Sequence, residues 1–362
     1  MTDTATPPAA ARPAPPPVTG VPLRLAGGRL SLLVHRRSVL VCLLLAAAGL
    51  AALAVAVSVG AFPIPLRDAA AAIVGDGPPM AELFVTGRRL PRALTALGVG
   101  LALGVAGAIF QQLTRNPLGS PDIVGFGHGA ATGAIVVVIG LRGSSGAAAL
   151  GALLGGVLAA AAVYLLAMRG GAHGYRLILV GIGVSAMLIA FNNFLVSRVD
   201  LRDARAATQW IVGSLYERRW PEAALIGVAL LVLLPGALLL NRPLSALRVG
   251  EELAVGTGVR VDRVRPALVL VAVALTAAAT ACAGPVAFVA LAAPQVARRL
   301  TTSSGPGLFA AGLLGAVMLL VSDILAQRLT APGELPVGVV TAGVGGVYLA
   351  WLLLREWRAQ RG

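Results

Sequence analysis

The sequence predicts an all-α, polytopic membrane protein, and two observations carry this prediction. Ten apolar stretches, each close to the length of a membrane-crossing helix, occupy most of the chain between Val39 and Leu354. Hydrophobic residues make up 57% of the chain and charged residues 12%, whereas a soluble chain carries about 25% charged residues. The first stretch, 39–60, contains no charged residue at all. These observations exclude a soluble globular fold.

The ten predicted spans follow one another along the chain at 39–60, 93–113, 121–140, 146–168, 176–197, 222–240, 265–283, 286–300, 307–329 and 336–354. The stretch 286–300 is short and contains Pro294, so it is the least typical of a full span. Residues 1–38 precede the first span and are rich in Pro and Ala, which predicts a disordered cytoplasmic tail. Residues 39–356 then form the membrane domain, and residues 357–362 form a second short tail.

Arginine residues set the predicted orientation of the spans. All 29 basic residues are arginine. Arg36 and Arg37 precede the first span, and Arg355 and Arg358 follow the last one. Because basic residues flank spans on the cytoplasmic side, both termini are predicted to be cytoplasmic, which an even number of spans satisfies. The net charge of +14 lies in such flanks and loops and therefore does not indicate nucleic-acid binding.

Glycines inside the spans predict close contacts between helices. Gly100, Gly104 and Gly107 share one face of the second span, and Gly151 and Gly155 share one face of the fourth. This spacing lets two helix backbones approach each other closely.

The chain lacks the residues that would power transport or catalyse a reaction. Asp323 is the acidic residue well inside a predicted span, so there is no series of buried carboxylates or histidines for a proton relay. The sequence contains no phosphate-binding loop, catalytic triad or metal-ligand pattern. We therefore expect no enzyme activity, no cofactor and no metal site, and we expect any energy for transport to come from a partner.

Three polar segments carry more specific information. Residues 88–92 lie at the outer mouth of the second span, where Pro91 favours the start of a helix. Residues 114–122 form a tight inner turn that contains two prolines. Residues 241–265 form a long inner loop with amphipathic spacing, typical of a short surface helix that docks in a partner's groove. The plain alternatives are an interface anchor, an ordinary turn and a solvated loop.

Five motifs follow one another along the chain. They are Arg89-Leu90-Pro91-Arg92, Gln111 with Asn116-Pro117-Leu118, Gly250-Glu251-Glu252-Leu253-Ala254, Gly284-Pro285-Val286-Ala287-Phe288-Val289 with Pro294, and Glu334-Leu335-Pro336-Val337-Gly338 with Thr341. In this order they resemble the motifs of the iron-chelate uptake permeases of the ABC importer superfamily, the family that also contains the vitamin B12 permease. The resemblance runs from Arg88 to Leu354. The segment 116–122 is most similar to the ferric-enterobactin-type branch.

The resemblance implies the architecture and partners of a type II ABC importer permease. Two permease subunits would surround a central path, two ABC ATPase subunits would bind the cytoplasmic face, and a periplasmic or lipoprotein substrate-binding protein would dock outside. The implied cargo is a ferric siderophore of the iron-enterobactin type, and the branch favours a paralogous second permease over a second copy. A vitamin B12 or haem permease of the same fold, or an ion-coupled secondary transporter, is the alternative. The implied location is the cell (inner) membrane.

The resemblance also implies three groups of site residues. The residues that dock the binding protein are Arg89, Arg92 and Arg328, the last because the family's third arginine falls on Gln327 here. The residues of the cytoplasmic gate are Asn116, Leu118, Gly174 and Tyr175, although the last two lack the small hydroxyl groups usual in the family. The residues that couple the permease to the ATPase are Gly250, Glu251, Glu252, Ala254 and Gly258.

Overall fold

The fold is a bundle of helices, obtained as a computed structural model that describes residues 21–25, 30–60, 62–122, 124–168, 174–302, 305, 307–329 and 335–359. The elements in chain order are β1 Val21–Leu25, β2 Leu30–Val34, α1 Arg36–Ser58, α2 Leu66–Val74, α3 Pro79–Phe84, α4 Leu90–Leu113, α5 Phe126–Ile135, α6 Ser145–Met168, α7 Gly174–Ser197, α8 Leu201–Val212, α9 Trp220–Leu239, α10 Asn241–Val249, α11 Glu251–Gly256, α12 Val261–Ala283, α13 Val289–Thr301, α14 Leu308–Leu329 and α15 Val337–Ala359. The π-helical turn Val85–Arg89 joins α3 to α4, and a second one, Val136–Gly140, extends α5.

Each of the ten predicted spans coincides with a helix. Within the described ranges, seven helical segments are long and apolar enough to cross a membrane: Arg36–Ser58, Pro79–Leu113, Gly146–Ala167, Ile178–Ser197, Trp220–Leu239, Val261–Ala283 and Leu308–Leu329. Two more, Phe126–Gly140 and Val337–Trp351, are apolar but shorter. The all-α, multi-pass prediction is therefore confirmed.

The eighth predicted span, which contains α13, is shorter than a bilayer requires. The 13 residues of α13 rise by about 20 Å at 1.5 Å per residue, whereas the hydrocarbon core is about 30 Å thick. The chain reaches α13 through an irregular stretch, 284–288, in which Phe288 has a positive φ of 68°. The weak span at 286–300 is thus an irregular stretch followed by a half-helix.

Helix α4 lies at the centre of the bundle. It packs against α14, α12, α13 and α9, and Ile109 and Phe110 near its end are completely buried. Helices α5 and α6 form a second packed pair that contacts this centre through α12. Helices α7 and α15 keep large apolar side chains exposed, among them Met187 and Val347. The bundle therefore has a closely packed centre, and α7 and α15 are among the helices at its edge that remain incompletely covered, as α1 and α9 also do.

The predicted glycine contacts are present. A Cβ atom at Gly100 or Gly104 would overlap the backbone of α14, at Gly315 and Ala311 respectively. A Cβ atom at Gly107 would overlap the Ala290 carbonyl of α13. In these places two backbones touch without intervening side chains, so glycine is required for close approach. We call this line of contact between α4 and α14 the glycine seam.

The fourth predicted span uses its glycines in the same way. A Cβ atom at Gly151 or Gly155 of α6 would overlap the backbone of α5 at Gly133 and Gly129. The α5–α6 pair is thus also held at backbone distance.

Element boundaries differ from the prediction at both ends of the chain. Residues 1–20 of the predicted tail lie outside the described residues. The described remainder contains β1 and β2, which pair antiparallel, and α1 begins at Arg36, inside the segment 1–38. Helix α15 continues to Ala359, past the expected end of the membrane domain at 356. The helix of the third span begins at Phe126 and not at 121, because Gly125, with a φ of 91°, is in a left-handed conformation outside the helix.

The segment 198–221 between the fifth and sixth predicted spans contains a helix, α8. Its sequence carries Ala207, Trp210 and Ile211 at the spacing of one helix face, and Ala207 and Trp210 are buried. Two arginines of this stretch lie over aromatic rings, since the Arg198 guanidinium is 5.1 Å from the Phe194 ring centroid and that of Arg218 is 5.2 Å from Trp210.

Candidate functional site

An ion pair joins α4 to α14 at one end of the bundle. The Arg92 guanidinium donates through Nη2 to Asp323 Oδ1 at 2.9 Å and through Nε to Oδ2 at 3.0 Å. The Asp323 side chain is 2% exposed and that of Arg92 is 14% exposed. Gln327 Nε2 donates to the same carboxylate at 2.9 Å. The predicted docking residue Arg92 therefore turns inward, and its charge is neutralised by Asp323.

Arg89 is also bonded within the chain. Its Nη1 atom donates to the carbonyls of Val57 and Ser58 at 3.0 and 3.2 Å, and its Nη2 atom donates to the Phe62 carbonyl. Val57 and Ser58 end α1, where backbone carbonyls have no partner within their own helix. Arg89 thus closes the end of α1 and ties it to the start of α4.

A basic recess opens beside these two arginines, and we call the surrounding end of the bundle the arginine end. The recess has a volume of about 200 Å³. The charged residues that line it are Arg88, Arg89, Arg92, Arg218, Arg219, Glu217 and Asp323. The rings of Phe62, Phe84 and Tyr216 also contribute to its wall.

The rim of the recess carries the arginines that are exposed. Arg88 and Arg219 are exposed at the recess, and Arg328, the third predicted docking residue, is exposed at the end of α14. Its positive charge acts on Arg89, which places Arg328 close to the recess. The structure therefore separates these cations: Arg89 and Arg92 hold helices together, whereas Arg88, Arg219 and Arg328 are exposed.

The Arg218 side chain forms part of the recess wall and is held by contacts within the chain. It donates through Nε to the Ser214 carbonyl at 3.3 Å and lies over Trp210 of α8. Burial lowers the pKa of Arg218, while Glu222 acts in the opposite direction. Trp220 donates through Nε1 to the Thr86 carbonyl at 2.9 Å, so the start of α9 is fixed against the π-helical turn before α4.

The opposite end of the bundle, which we call the turn end, contains the predicted gate. Asn116 Oδ1 accepts a hydrogen bond from the Leu118 backbone N–H at 2.8 Å, which makes a local turn typical of Asn before Pro. The Leu118 side chain is 44% exposed. The other predicted gate residues, Gly174 and Tyr175, begin α7, but the surroundings of both residues lie outside the described part of the structure.

Polar side chains join α4, α13 and this turn inside the bundle. Gln111 Nε2 donates to the Leu291 carbonyl at 2.9 Å, and Gln111 Oε1 accepts from Arg298 Nη2 at 2.7 Å. Gln295 Nε2 donates to the Pro117 carbonyl at 2.7 Å. Gln295 thus links the half-helix α13 to the turn, and Gln111 and Arg298 link α13 to α4. Gln295 and Arg298 were not among the predicted gate residues.

The predicted coupling segment folds as two short helices at the turn end. Gly250 separates α10 from α11, and Gly258, with a φ of 84°, ends the segment after α11. Ala254 is completely buried, so it fixes α11 to the bundle rather than projecting. Arg115 Nη2 donates to the Leu247 carbonyl at 3.1 Å, which joins α10 to the turn that contains Asn116.

The outward face of α11 is partly apolar. Leu253 and Val255 are 60% and 59% exposed. The two acidic residues at its start are also exposed, and Glu251 Oε2 accepts from Arg265 Nη2 at 2.9 Å. An exposed ion pair of this kind contributes little to stability. Apolar residues flanked by acidic ones make α11 a surface suited to binding another protein.

A second cavity lies where non-helical backbone runs between the helices. It has a volume of about 400 Å³ and lies against the starts of α5 and α15 and the stretch 285–287. Asp122 and His128 supply its polar side chains. Burial raises the pKa of Asp122 to about 7, while a hydrogen bond from Ser120 opposes this effect. Irregular backbone inside a membrane bundle is tolerated where it lines a cavity.

Comparison with known proteins identifies the family of the chain. The model of the FecCD transport family matches residues 43–355. The chain is 45% identical to the ferric enterobactin transport system permease protein FepG of Escherichia coli K12, over 90% of this chain and 98% of that one. It is 37% identical to the probable siderophore transport system permease protein YfhA of Bacillus subtilis, over 89% and 96%.

A solved structure has the same fold. It is an inward-facing ABC transporter described as metal-chelate type, with a TM-score of 0.77 and 25% sequence identity. The match covers 87% of this chain and 99% of that one. The helical order, the sequence relatives and this structural match agree, and the chain is a multi-pass permease that belongs to the FecCD transport family.

Proposed function

We propose that this chain is a permease subunit of an ATP-driven importer that carries ferric siderophores of the enterobactin type across the cell membrane. The relationship to FepG carries this proposal, because 45% identity extends over nearly the whole of both chains. In this proposal both termini are cytoplasmic, so the arginine end faces outward and the turn end faces the cytoplasm.

Separate ATPase subunits bind the turn end in this proposal. The support is the geometry of α11, where Leu253 and Val255 project while Ala254 anchors the helix. An amphipathic helix of this kind inserts its apolar side chains into a partner's groove. The hydrogen bond from Arg115 to the Leu247 carbonyl gives a mechanical link from this surface to the gate turn.

The gate closes the cytoplasmic side of the path at the turn that contains Asn116 and Leu118. The link through Gln295 to the Pro117 carbonyl ties this turn to α13. Gly174 and Tyr175 stay in the proposed gate on the family resemblance alone. Movement transmitted from α10 and α11 would displace the turn and open the path.

A second permease subunit covers the edge helices α7 and α15. Gly183 of α7 and Gly343 and Gly346 of α15 have open space where a Cβ atom would lie. Large apolar side chains beside them, such as Met187 and Val347, are exposed. Small residues on an uncovered helix face allow close packing of another helix. The branch of the family favours a paralogous subunit over a second copy.

Transport in proteoliposomes tests the proposal. The permease is co-expressed with the ATPase, the second permease and the binding protein encoded beside it, and uptake of iron-labelled ferric enterobactin is measured with and without ATP. We expect uptake that needs ATP and the binding protein. Haemin and vitamin B12 serve as competing cargoes. Preferential uptake of either, or ATP-independent uptake driven by an ion gradient, would contradict the proposal.

The pairing is tested with two different tags. Tagged copies of this permease are purified with the untagged candidate paralogue, and the mass of the complex is measured. We expect one copy of each permease. A fully active complex that contains this permease alone would exclude the paralogous pairing.

A further inference from the structure

Two arginines from different helices meet at the last turn of α13, at the turn end of the bundle. Arg37 of α1 donates through Nε to the Leu300 carbonyl at 2.8 Å, one of the carbonyls that a helix leaves without a partner at its end. Among the described residues, the Nη1 and Nη2 atoms of Arg37 meet no acceptor. Arg299 precedes Leu300, and both arginines are exposed. The end of α13 therefore carries two guanidinium groups that the gate turn does not use.

Aromatic rings of α15 hold the Arg299 side chain. Its guanidinium carbon lies 5.3 Å from the ring centroid of Trp351 and 5.9 Å from that of Tyr348. The Tyr348 hydroxyl donates to Gln295 Oε1 at 3.4 Å, and Trp351 is 48% exposed. Tryptophan and tyrosine beside arginine, at the end of membrane-crossing helices, are typical of the layer in which lipid headgroups meet water.

The positive charge at this place is not neutralised by a carboxylate of the described residues. The ion pairs at the arginine end and on α11 involve other arginines. Arg36 precedes Arg37 and is also exposed. The positive charge of Arg248 acts on Arg298, in the same turn of α13 as Arg299. A surplus of arginines at the depth of the headgroups attracts negatively charged lipids.

An apolar surface continues from Arg37 into the membrane-crossing part of α1. Leu40 and Leu44 lie one and two turns further along the same face of α1, and they are 58% and 60% exposed. A free phosphate ion gains nothing from such a surface, whereas a phospholipid presents a phosphate and acyl chains together. The second permease of the proposed function covers α7 and α15, so this face of α1 stays open to lipid.

We infer that a phospholipid with a negatively charged headgroup binds at the end of α13, with its phosphate held by Arg37 and Arg299 and its acyl chains along Leu40 and Leu44. An arginine can bind a phosphate through two parallel hydrogen bonds. The multi-pass fold is sufficient for this inference. The proposed function enters only through the orientation, which places the site in the cytoplasmic leaflet.

Counting of bound lipids tests this site. The permease, with the subunits that co-purify with it, is stripped of lipid in detergent and titrated with phosphatidylglycerol or with phosphatidylcholine of the same acyl chains. Native mass spectrometry measures the number of lipids retained. We expect the wild type to retain one more phosphatidylglycerol per copy of this permease than the Arg37→Gln/Arg299→Gln double variant. Each single variant should weaken that binding by about fivefold.

The matched control is Arg263→Gln. Arg263 is exposed at the start of α12, on neither α1 nor α13, and its replacement should change phosphatidylglycerol binding by less than about twofold. Arg37→Lys combined with Arg299→Lys keeps both charges and should retain most of the binding. Melting temperatures in phosphatidylcholine show whether each variant is folded. Arg299→Gln breaks no hydrogen bond among the described residues, so it decides the question if Arg37→Gln is destabilised.

Glycerol phosphate in large excess distinguishes a lipid from a free anion, since it carries the phosphate without acyl chains. We expect it not to displace phosphatidylglycerol. Displacement would overturn the inference in favour of a simple phosphate site.

Three other results would also overturn the inference. One is equal retention of phosphatidylglycerol by the wild type and the double variant. Another is an equal loss in Arg263→Gln, which would show diffuse attraction by charge. The third is loss of a co-purifying subunit from the double variant without a change in lipid binding, which would assign these arginines to a protein contact. The proteoliposome experiment decides the proposed function separately, because lipid binding is measured without transport.

Discussion

Arg92 and Asp323 lie 231 residues apart in the chain and form a buried, bidentate ion pair between α4 and α14. Both donating nitrogens of Arg92 are within 3.0 Å of a carboxylate oxygen. The pair is at the same end of the bundle as Arg89, which closes α1. Three helices are thus fixed to one another at the arginine end by two arginines.

Breaking this pair on one side should destabilise the protein. Asp323→Leu leaves the Arg92 guanidinium buried without its carboxylate, and we expect a loss of about 3–5 kcal/mol. The Arg92→Leu/Asp323→Leu double variant should recover most of it, since neither charge remains. Thermal unfolding in detergent measures the order of the three proteins. Equal melting temperatures for the single and double variants would contradict the prediction.

The glycine seam should not accept even one methyl group. Gly104→Ala would place a Cβ atom against the Ala311 backbone, and the helices must separate to accommodate it. We expect a marked fall in melting temperature. Gly227→Ala in α9 is the matched control, because nothing lies within 4 Å of its Cβ position. The control should be neutral or stabilised by up to about 1 kcal/mol. A similar response of both variants would exclude a role for close packing.

Asp122 should make stability depend on pH. Its pKa is 3.8 in its reference state and about 7 in the folded protein, so the folded chain holds the proton more tightly. Its contribution to stability is therefore complete below about pH 4 and is lost as the pH rises to about 7. We expect the wild-type melting temperature to fall between about pH 5 and about pH 8 more steeply than that of Asp122→Asn. Parallel curves for the two proteins would show that Asp122 titrates near its ordinary value.

Two substitutions in the coupling segment should have different effects on ATPase docking and on stability. Leu253 is exposed, so Leu253→Asp should weaken binding of the ATPase and lower uptake without changing the melting temperature. Ala254 is completely buried, and Ala254→Phe should lower both uptake and stability through overpacking. Co-purification of the ATPase together with thermal unfolding distinguishes the two. Full ATPase binding by Leu253→Asp would exclude α11 as the docking helix.

Much of the fold could be predicted from the sequence, because long apolar stretches report helices directly. The ten spans and the close packing at Gly100 and Gly104 follow from local composition and spacing. The side-chain partners did not follow, since Arg92 meets Asp323 only when α4 and α14 pack side by side. Arg89 likewise finds its carbonyl partners at the end of another helix. A motif identifies such arginines without telling whether they face a partner protein or the bundle.

The site was predicted in part for the same reason. The local turn at Asn116 could be expected from the proline that follows it. The link from Gln295 to Pro117 depends on where the half-helix α13 lies, which no local pattern specifies. Helix α8 had a detectable signal in the spacing of Ala207, Trp210 and Ile211, but its many charges make the segment resemble a loop.

The glycine seam has a consequence for how the subunit changes shape. Backbones in direct contact cannot slide past one another by exchanging side-chain rotamers, so we expect α4 and α14 to rotate together as one rigid unit. Bending is then left to the joints where the chain leaves helical geometry, at 114–122, 124–125 and 284–288. These joints lie next to the cavity of about 400 Å³. We therefore expect a small rotation of the α4–α14 pair to change the width of that cavity.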